Sequence, residues 1–177
     1  MSTRLVSELE RLADALGSDG ARAAEGSLPA VAEKIAKELH ARADEVAIIA
    51  ISHRSRHLHF LVPHVLKNVG FIPLTSNSAL AARTARDSRP EINNNFSAVR
   101  HAAVFEAAKA ATTTGESIQK IISAPILFEG KVVGVIQISR KGESRAGAGP
   151  DFTPEELGRV LAICKPLGKL VSLMAGE

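Results

Sequence analysis

The strongest fold signal in this chain lies in residues 122–138, which read Ile122-Ser-Ala-Pro-Ile-Leu-Phe-Glu-Gly-Lys-Val-Val-Gly-Val-Ile-Gln-Ile138. Two nearly continuous apolar runs flank Glu129-Gly130, a dipeptide typical of a tight antiparallel turn. The pattern predicts two long strands, over residues 118–128 and 131–139, that pair as a hairpin.

Further strands are predicted on the N-terminal side of this hairpin. Residues 45–52 are apolar at odd and even positions alike, as in a central strand covered on both faces. In residues 57–62, the apolar Leu58, Phe60 and Val62 alternate with His57, His59 and Leu61. This pattern indicates a hairpin partner nearer an edge. A short extended piece at 70–74 precedes an alanine-rich helix over 79–87 that Pro90 ends, and a second such helix is predicted over 99–111.

Amphipathic helices are predicted at both ends of the chain. Leucines spaced by four, three and four residues indicate a short helix that ends at Gly17, followed by a hinge over 17–26. Ser27 is the expected N-cap of a second helix that runs to about Arg42. Thr153-Pro154-Glu155-Glu156 combines a capping box with proline at the first helical position, and so opens the last helix. A kink or break is expected in that helix at Pro166.

Composition narrows the function classes. The chain has 177 residues, 45% hydrophobic and 23% charged, which fits one globular domain and excludes a disordered or collagen-like chain. No leader or membrane segment is recognisable, so we expect a cytoplasmic protein without a membrane partner. The net charge is only +3 and the sole aromatic residues are six Phe, which argues against nucleic-acid binding.

The element order is that of an α+β fold built around an antiparallel sheet, and it resembles a GAF domain. Four pieces carry the resemblance in the right order: the strand at 44–52, the Ile72-Pro-Leu74 entry to a Ser/Ala helix, the 122–138 hairpin, and Phe152-Thr-Pro-Glu-Glu-Leu157. The resemblance spans residues 28–171. It implies about six strands, with N- and C-terminal helices packed on one face and a ligand-pocket region on the other.

The resemblance also suggests where a ligand would bind. Cyclic-nucleotide GAF domains carry an Asn-Lys/Arg pair, and a Phe followed four and five residues on by Asp-Glu; here Asn95-Phe96 is followed at those offsets by Arg100-His101, and the Asn-Lys pair is absent. This exchange favours an anionic ligand held by Arg100, unless the segment is simply an exposed helix start. By position in the fold, the expected rim comprises Ser76, Asn77, Asn94, Asn95, Phe96, Arg100, His101 and Phe105. The family's glycines near the start of the crossover helix are replaced by Ser78, Ala81 and Ala82, an exchange that would close the pocket.

Two basic groups have alternative interpretations. Arg83, Arg86 and Arg89 recur every three residues, either as a solvated helix face or as an anion site next to Ser76 and Asn77 at the helix N-terminus. His53, His57, His59 and His64 are either ordinary turn and strand histidines or ligands of a metal or haem. The sequence leaves both choices open.

The resemblance implies a non-enzymatic signalling module. We expect residues 1–26 to form an N-terminal helix and hinge, and residues 27–177 to form the GAF-like domain. The module would bind a small metabolite or nucleotide, form a homodimer through its terminal helices, and signal to an unidentified regulatory protein. The alternative is an interaction scaffold with an empty or degenerate pocket. Related methionine-sulfoxide reductases use several cysteines, whereas this chain has only Cys164, which excludes that chemistry; the identity of any ligand or cofactor stays open.

Overall fold

A computed structural model describes residues 2–16, 21–63, 71–96 and 117–174 of the chain. Its helices are α1 (Ser2–Leu16), α2 (Ala21–Glu38), α3 (Leu80–Asp87) and α4 (Pro154–Ser172), with a 3-10 turn at Ala43–Glu45. Its strands are β1 (Val46–Ser52), β2 (His57–Val62), β3 (Ile72–Pro73), β4 (Glu91–Asn93), β5 (Ser117–Phe128) and β6 (Lys131–Gly142). The helix predicted over 99–111 lies outside the described residues.

The strands form one antiparallel sheet in the order β3-β2-β1-β6-β5-β4. The long hairpin is confirmed: Phe128 pairs with Lys131, and the turn residues Glu129 and Gly130 both have positive φ angles, of 50° and 80°. Such a turn matches the right-handed twist of the strands that it joins. The α+β class with about six antiparallel strands is therefore confirmed.

The two faces of the sheet are covered differently. Helices α1, α2 and α4 share one apolar core with the first face, to which β1 contributes Val46 and Ile48. Helix α3 covers part of the second face, where its Ala81 and Ala82 pack in one cluster with Ile49 of β1 and Phe60 of β2. Because β1 is buried from both sides, it has apolar side chains at odd and even positions alike.

The helix boundaries differ from the predicted ones at three points. α2 begins at Ala21, so Ser27 lies inside the helix and is not its N-cap, and six residues of the predicted hinge are helical. α2 ends at Glu38, and His40 then takes a left-handed φ of 53°, which cannot continue a helix. α4 continues through Pro166 to Ser172, so the predicted break is absent, because the buried side chains around Pro166 hold both halves of the helix on the sheet.

α1 belongs to the same packed unit as the other terminal helices. Its Leu5 and Leu9 are buried in the shared core, and Asp14 accepts a 2.6 Å hydrogen bond from the Lys169 ammonium on α4. The division of the chain at residue 26 stays a prediction. No helix among the described residues combines the length and the apolar character that crossing a membrane would require.

Candidate functional site

The second face of the sheet carries a buried row of polar side chains beside α3. The hydroxyl oxygens of Thr84 on α3 and Ser123 on β5 lie 2.7 Å apart, and the Gln137 side-chain amide on β6 donates to Ser123 Oγ at 3.2 Å. All three residues are at least 96% buried. We call Thr84, Ser123 and Gln137 the polar row. Its uncharged side chains are shielded from water and bond to one another, and Thr84 also donates to the Leu80 carbonyl at 2.9 Å.

Two predicted rim residues lie in the loop between β3 and α3. Ser76 accepts a 3.2 Å hydrogen bond from the Ala79 backbone N–H, so its hydroxyl stabilises the approach to α3. Asn77, next to it, is exposed. This loop follows β3, an edge strand of the sheet.

Three other predicted rim residues follow β4, the strand at the opposite edge. The Asn94 amide donates to the Phe152 carbonyl at 3.1 Å and accepts from the Phe152 backbone N–H at 2.8 Å. Phe96 is 1% exposed and packs with Leu80 and Ile118, whereas Asn95 is exposed. The five described rim residues thus lie near two different edges of the sheet. Arg100, His101 and Phe105 are outside the described residues, and the rim as a whole stays a prediction.

The three arginines around α3 have different surroundings. Arg83 pairs with Glu91 at 2.7 Å, while Arg86 donates to the carbonyl oxygens of Leu74 and Ser76, both at 2.6 Å. Arg89 is exposed and lines, with Arg83 and the acidic Asp87 and Glu91, a cavity of about 200 Å³. The wall of this cavity thus combines two arginines with two carboxylates.

The histidines of β2 have separate environments as well. His57 stacks on Phe71 with 5.4 Å between ring centroids, and His53 is exposed in the turn before β2. His59 is half-buried, and that burial lowers its pKa below the ordinary value. Within the described ranges, no three His, Cys, Asp or Glu side chains come together as a metal site. His64 lies outside those ranges.

Sequence reasoning missed a buried arginine that connects four elements. Arg140 on β6 pairs with Glu156 in the first turn of α4 at 2.9 Å, and its guanidinium lies 4.0 Å from the centre of the Phe152 ring. It also donates to the carbonyls of Pro150, at 2.6 Å, and Leu39, at 3.4 Å. We call Asn94, Arg140, Phe152 and Glu156 the latch.

One feature of the sequence points to the latch. Arg140 follows an apolar strand directly, and a side chain that long and charged is buried only when it is paired. Glu156 was recognised from its spacing as a capping residue, and it does fill that role through Thr153. Its second role, as the ion-pair partner of Arg140, depends on how β6 and α4 pack together.

Comparison with known proteins gives a consistent assignment. Residues 24–169 match the family model of the GAF domain, and no curated protein matches the sequence. Similar solved structures include the GAF domain of a phosphoenolpyruvate-protein phosphotransferase from Coxiella burnetii, with 13% identity over 99% of this chain and 93% of that chain and a TM-score of 0.68. The nlh2 GAF domain of A. aeolicus in an inactive state has 18% identity over 97% and 96% and a TM-score of 0.64.

An enzyme is also similar in structure. A free methionine-R-sulfoxide reductase from Neisseria meningitidis, solved in complex with its substrate, has 13% identity over 99% of this chain and 91% of that chain, with a TM-score of 0.64. At such low identities, these structural likenesses show a common fold.

Proposed function

This chain belongs to the GAF-domain family, and from that premise we propose that it is a non-enzymatic regulatory module. In this proposal a small molecule binds on the α3 face of the sheet. Its binding changes the packing of α1, α2 and α4 on the other face, and a partner protein detects that change. The protein works in the cytoplasm as a homodimer formed through its terminal helices.

The observation that carries the proposal is the two-sided construction of β5 and β6. Ser123 and Gln137 are register partners and belong to the polar row on the α3 face, while the neighbouring pair Ile122 and Ile138 packs into the core under the terminal helices. Adjacent strand residues point to opposite faces. A change in spacing at the polar row therefore acts directly on the strands that support α4.

The ligand in this proposal is small and has both a neutral polar part and an anionic part. The polar row supplies hydroxyl and amide groups for the neutral part. Arg100 supplies a bidentate donor for the anionic part, as the exchange of an acidic for a basic pair after Phe96 suggests. Ligand binding shifts an existing equilibrium by its difference in affinity for the two packings.

A regulatory function is favoured over a reductase function by Cys164. It is the only cysteine, and burial raises the pKa of its thiol to about 12. The thiolate is the nucleophilic form of cysteine, and it is almost absent at neutral pH when the pKa is this high. A cysteine-based reduction has no attacking group in this chain.

The alternative function is an interaction scaffold, and one observation favours it. The surface between α1 and α2 forms an open groove with Leu9, Leu12 and Val31 in its floor and the Glu8–Lys34 ion pair across it. A partner helix or a second copy of the chain would cover Leu12, which is partly exposed. In this version the α3 face holds no ligand.

Thermal unfolding in the presence of a metabolite panel distinguishes the two functions. The panel contains nucleotides, cyclic nucleotides, sugar phosphates and carboxylic acids. A ligand at about 100 times its Kd adds about 2.7 kcal/mol to the free energy of unfolding, which raises the Tm by several degrees.

Arg100→Ala should weaken that ligand's binding and leave the Tm of the free protein unchanged, while Arg4→Ala on α1 serves as the control. A flat panel, with a dimer or partner complex in native mass spectrometry, favours the scaffold.

A further inference from the structure

One long segment of the chain has no acidic residue. Between Glu45 and Asp87 the sequence contains five Lys or Arg and four His but no Asp or Glu. The segment includes β1, β2, β3 and most of α3. Since the whole chain has a net charge of only +3, this segment concentrates positive charge that the rest of the chain balances.

The fold gathers part of this charge at the β3 edge of the sheet. Arg56, in the turn between β1 and β2, accepts a 3.1 Å hydrogen bond at its carbonyl from the Leu74 backbone N–H. Arg86 donates to the Leu74 carbonyl from the other side. Arg54 lies in the same turn as Arg56. The backbone of Leu74 therefore contacts both Arg86 and the turn that carries Arg54 and Arg56.

These three arginines differ from most arginines of the described structure. Arg54, Arg56 and Arg86 are all exposed, and no described carboxylate lies within 4.0 Å of their guanidinium groups. By contrast, Arg83 and Arg140 each have a carboxylate partner at 2.9 Å or less. An arginine without an acidic partner can pair with an external carboxylate. In the described part of the chain, Arg54 and Arg56 have all their guanidinium donors available for this, whereas Arg86 already uses Nη1 to bind the Leu74 and Ser76 carbonyls.

An exposed aromatic residue completes this surface. Phe71 is 62% exposed, whereas Phe60, Phe96 and Phe152 are at least 97% buried. Its ring stacks on His57 with an angle of 17° between the planes. The stacking holds the ring in place before any partner binds, which reduces the entropy cost of using it as an anchor.

We propose that Arg54, Arg56, His57, Phe71 and Arg86, here called the edge patch, bind an acidic protein segment that carries an apolar side chain. Carboxylates of the segment pair with the arginines, and its apolar side chain packs on the free face of the Phe71 ring. Aromatic residues and arginines are the side chains that dominate protein interfaces. The edge patch does not depend on the small-molecule ligand proposed above.

The chemistry of the edge patch favours protein over the other anionic partners. Binding of single-stranded nucleic acid uses a series of aromatic platforms, whereas Phe71 is the only exposed phenylalanine among the described residues and His57 covers one side of its ring. Membrane binding by an interfacial element uses a broad apolar face. A single fixed aromatic ring among arginines suits one apolar side chain flanked by carboxylates.

The test uses fluorescence anisotropy with a labelled peptide of about twelve residues, made of Asp and Glu with a central Leu-Leu pair. Wild-type protein should bind it saturably, and added salt should weaken the binding. The double variant Arg54→Glu with Arg56→Glu should weaken binding at least tenfold, and Phe71→Ser at least fivefold. All three side chains are exposed, so the variants should keep the wild-type Tm.

Matched controls separate the edge patch from net charge and general hydrophobicity. Arg4→Glu with Arg89→Glu makes the same charge change elsewhere on the surface, and Leu127→Ser removes another exposed apolar side chain; both should bind within about twofold of wild type. The proposal is overturned if wild type does not bind the peptide or if the controls lose as much binding. It is also overturned if oligothymidylate or phosphatidylserine vesicles bind through the edge patch more tightly than the peptide does.

Discussion

Asn94 uses both ends of its side-chain amide to bind the backbone of one residue, Phe152. Only Asn and Gln side chains carry a donor and an acceptor side by side in this way. The residue was expected at the rim of a pocket because of its place in the fold. Its observed contacts join the end of β4 to the segment before α4, 58 residues further along the chain, and its place at a pocket rim stays a prediction.

Cys164 gives a prediction at the residue scale. Burial raises its pKa from the ordinary 9.0 to about 12, so the folded protein holds the thiol proton more tightly than the unfolded chain does. The folded state should therefore lose stability as the pH rises through about 9 towards 12. Iodoacetamide should leave the native protein unmodified at mildly alkaline pH and label it rapidly in concentrated urea.

Substitution of the same residue provides the control. Cys164→Ala should abolish labelling under both conditions and remove the cysteine's part of the stability loss in alkaline solution. Rapid labelling of the native wild-type protein would contradict the burial of this thiol.

α4 depends on close backbone contact with the sheet. At Gly168, an added Cβ would collide with the carbonyl oxygen of Leu127 on β5. At Gly158, ten residues earlier on the same helix, a Cβ would meet no atom within 4 Å. Both glycines occupy interior helix positions, at which alanine has the higher helix propensity. There is space for a Cβ at Gly158 but none at Gly168.

A pair of substitutions tests this difference at the element scale. Gly168→Ala should destabilise the protein by about 1–3 kcal/mol or more, because the clash is with backbone that cannot move aside. Gly158→Ala should stabilise it by about 0.5–1 kcal/mol, because alanine loses less chain entropy on folding. Urea unfolding of both variants measures the effects. Equal effects of the two substitutions would show that α4 does not lie this close to β5.

At the scale of the whole molecule, the latch joins one edge of the sheet to α4. Asn94 follows the edge strand β4, and Glu156 lies in the first turn of α4. Phe152 and Arg140 connect them through two hydrogen bonds between the Asn94 side chain and the Phe152 backbone, a cation–π contact and a buried ion pair. These four residues therefore connect the β4 edge of the sheet to α4 through direct contacts.

A double-mutant cycle tests whether the latch acts as one unit. Asn94→Ala and Glu156→Gln should be non-additive by about 0.5–3 kcal/mol in urea unfolding, although the two side chains are joined only through Phe152 and Arg140. Gln at position 156 still suits the capping box, so only its ion pair with Arg140 is weakened.

The control cycle replaces Glu156→Gln with Glu155→Gln. Glu155 is the neighbouring residue in the same helical turn, and its partner is Arg159 rather than a latch residue. This cycle should be additive within about 0.5 kcal/mol. Additivity in the Glu156 cycle as well would show that the latch residues act independently.

The amino-acid sequence by itself determined the fold class, the long hairpin, the capping box at Thr153 and the amphipathic terminal helices. These features depend on local periodicity and on turn chemistry, which residues close together in the chain express directly. The burial of β1 on both faces is also predicted locally, because its side chains are apolar at odd and even positions alike. Family membership followed from the order of these elements.

Only the tertiary structure decided which polar residues meet. The polar row, the latch and the edge patch each combine side chains from strands or loops that are distant in the chain, and no spacing rule links Asn94 to Phe152 or Arg56 to Arg86. Tertiary packing also decided two helix features. α4 continues past Pro166, where local propensity predicts a break, and Ser27 lies inside α2, where local propensity predicts an N-cap. Burial and long-range contacts outweigh local preference at these positions, because they contribute more free energy than a single residue's helix propensity.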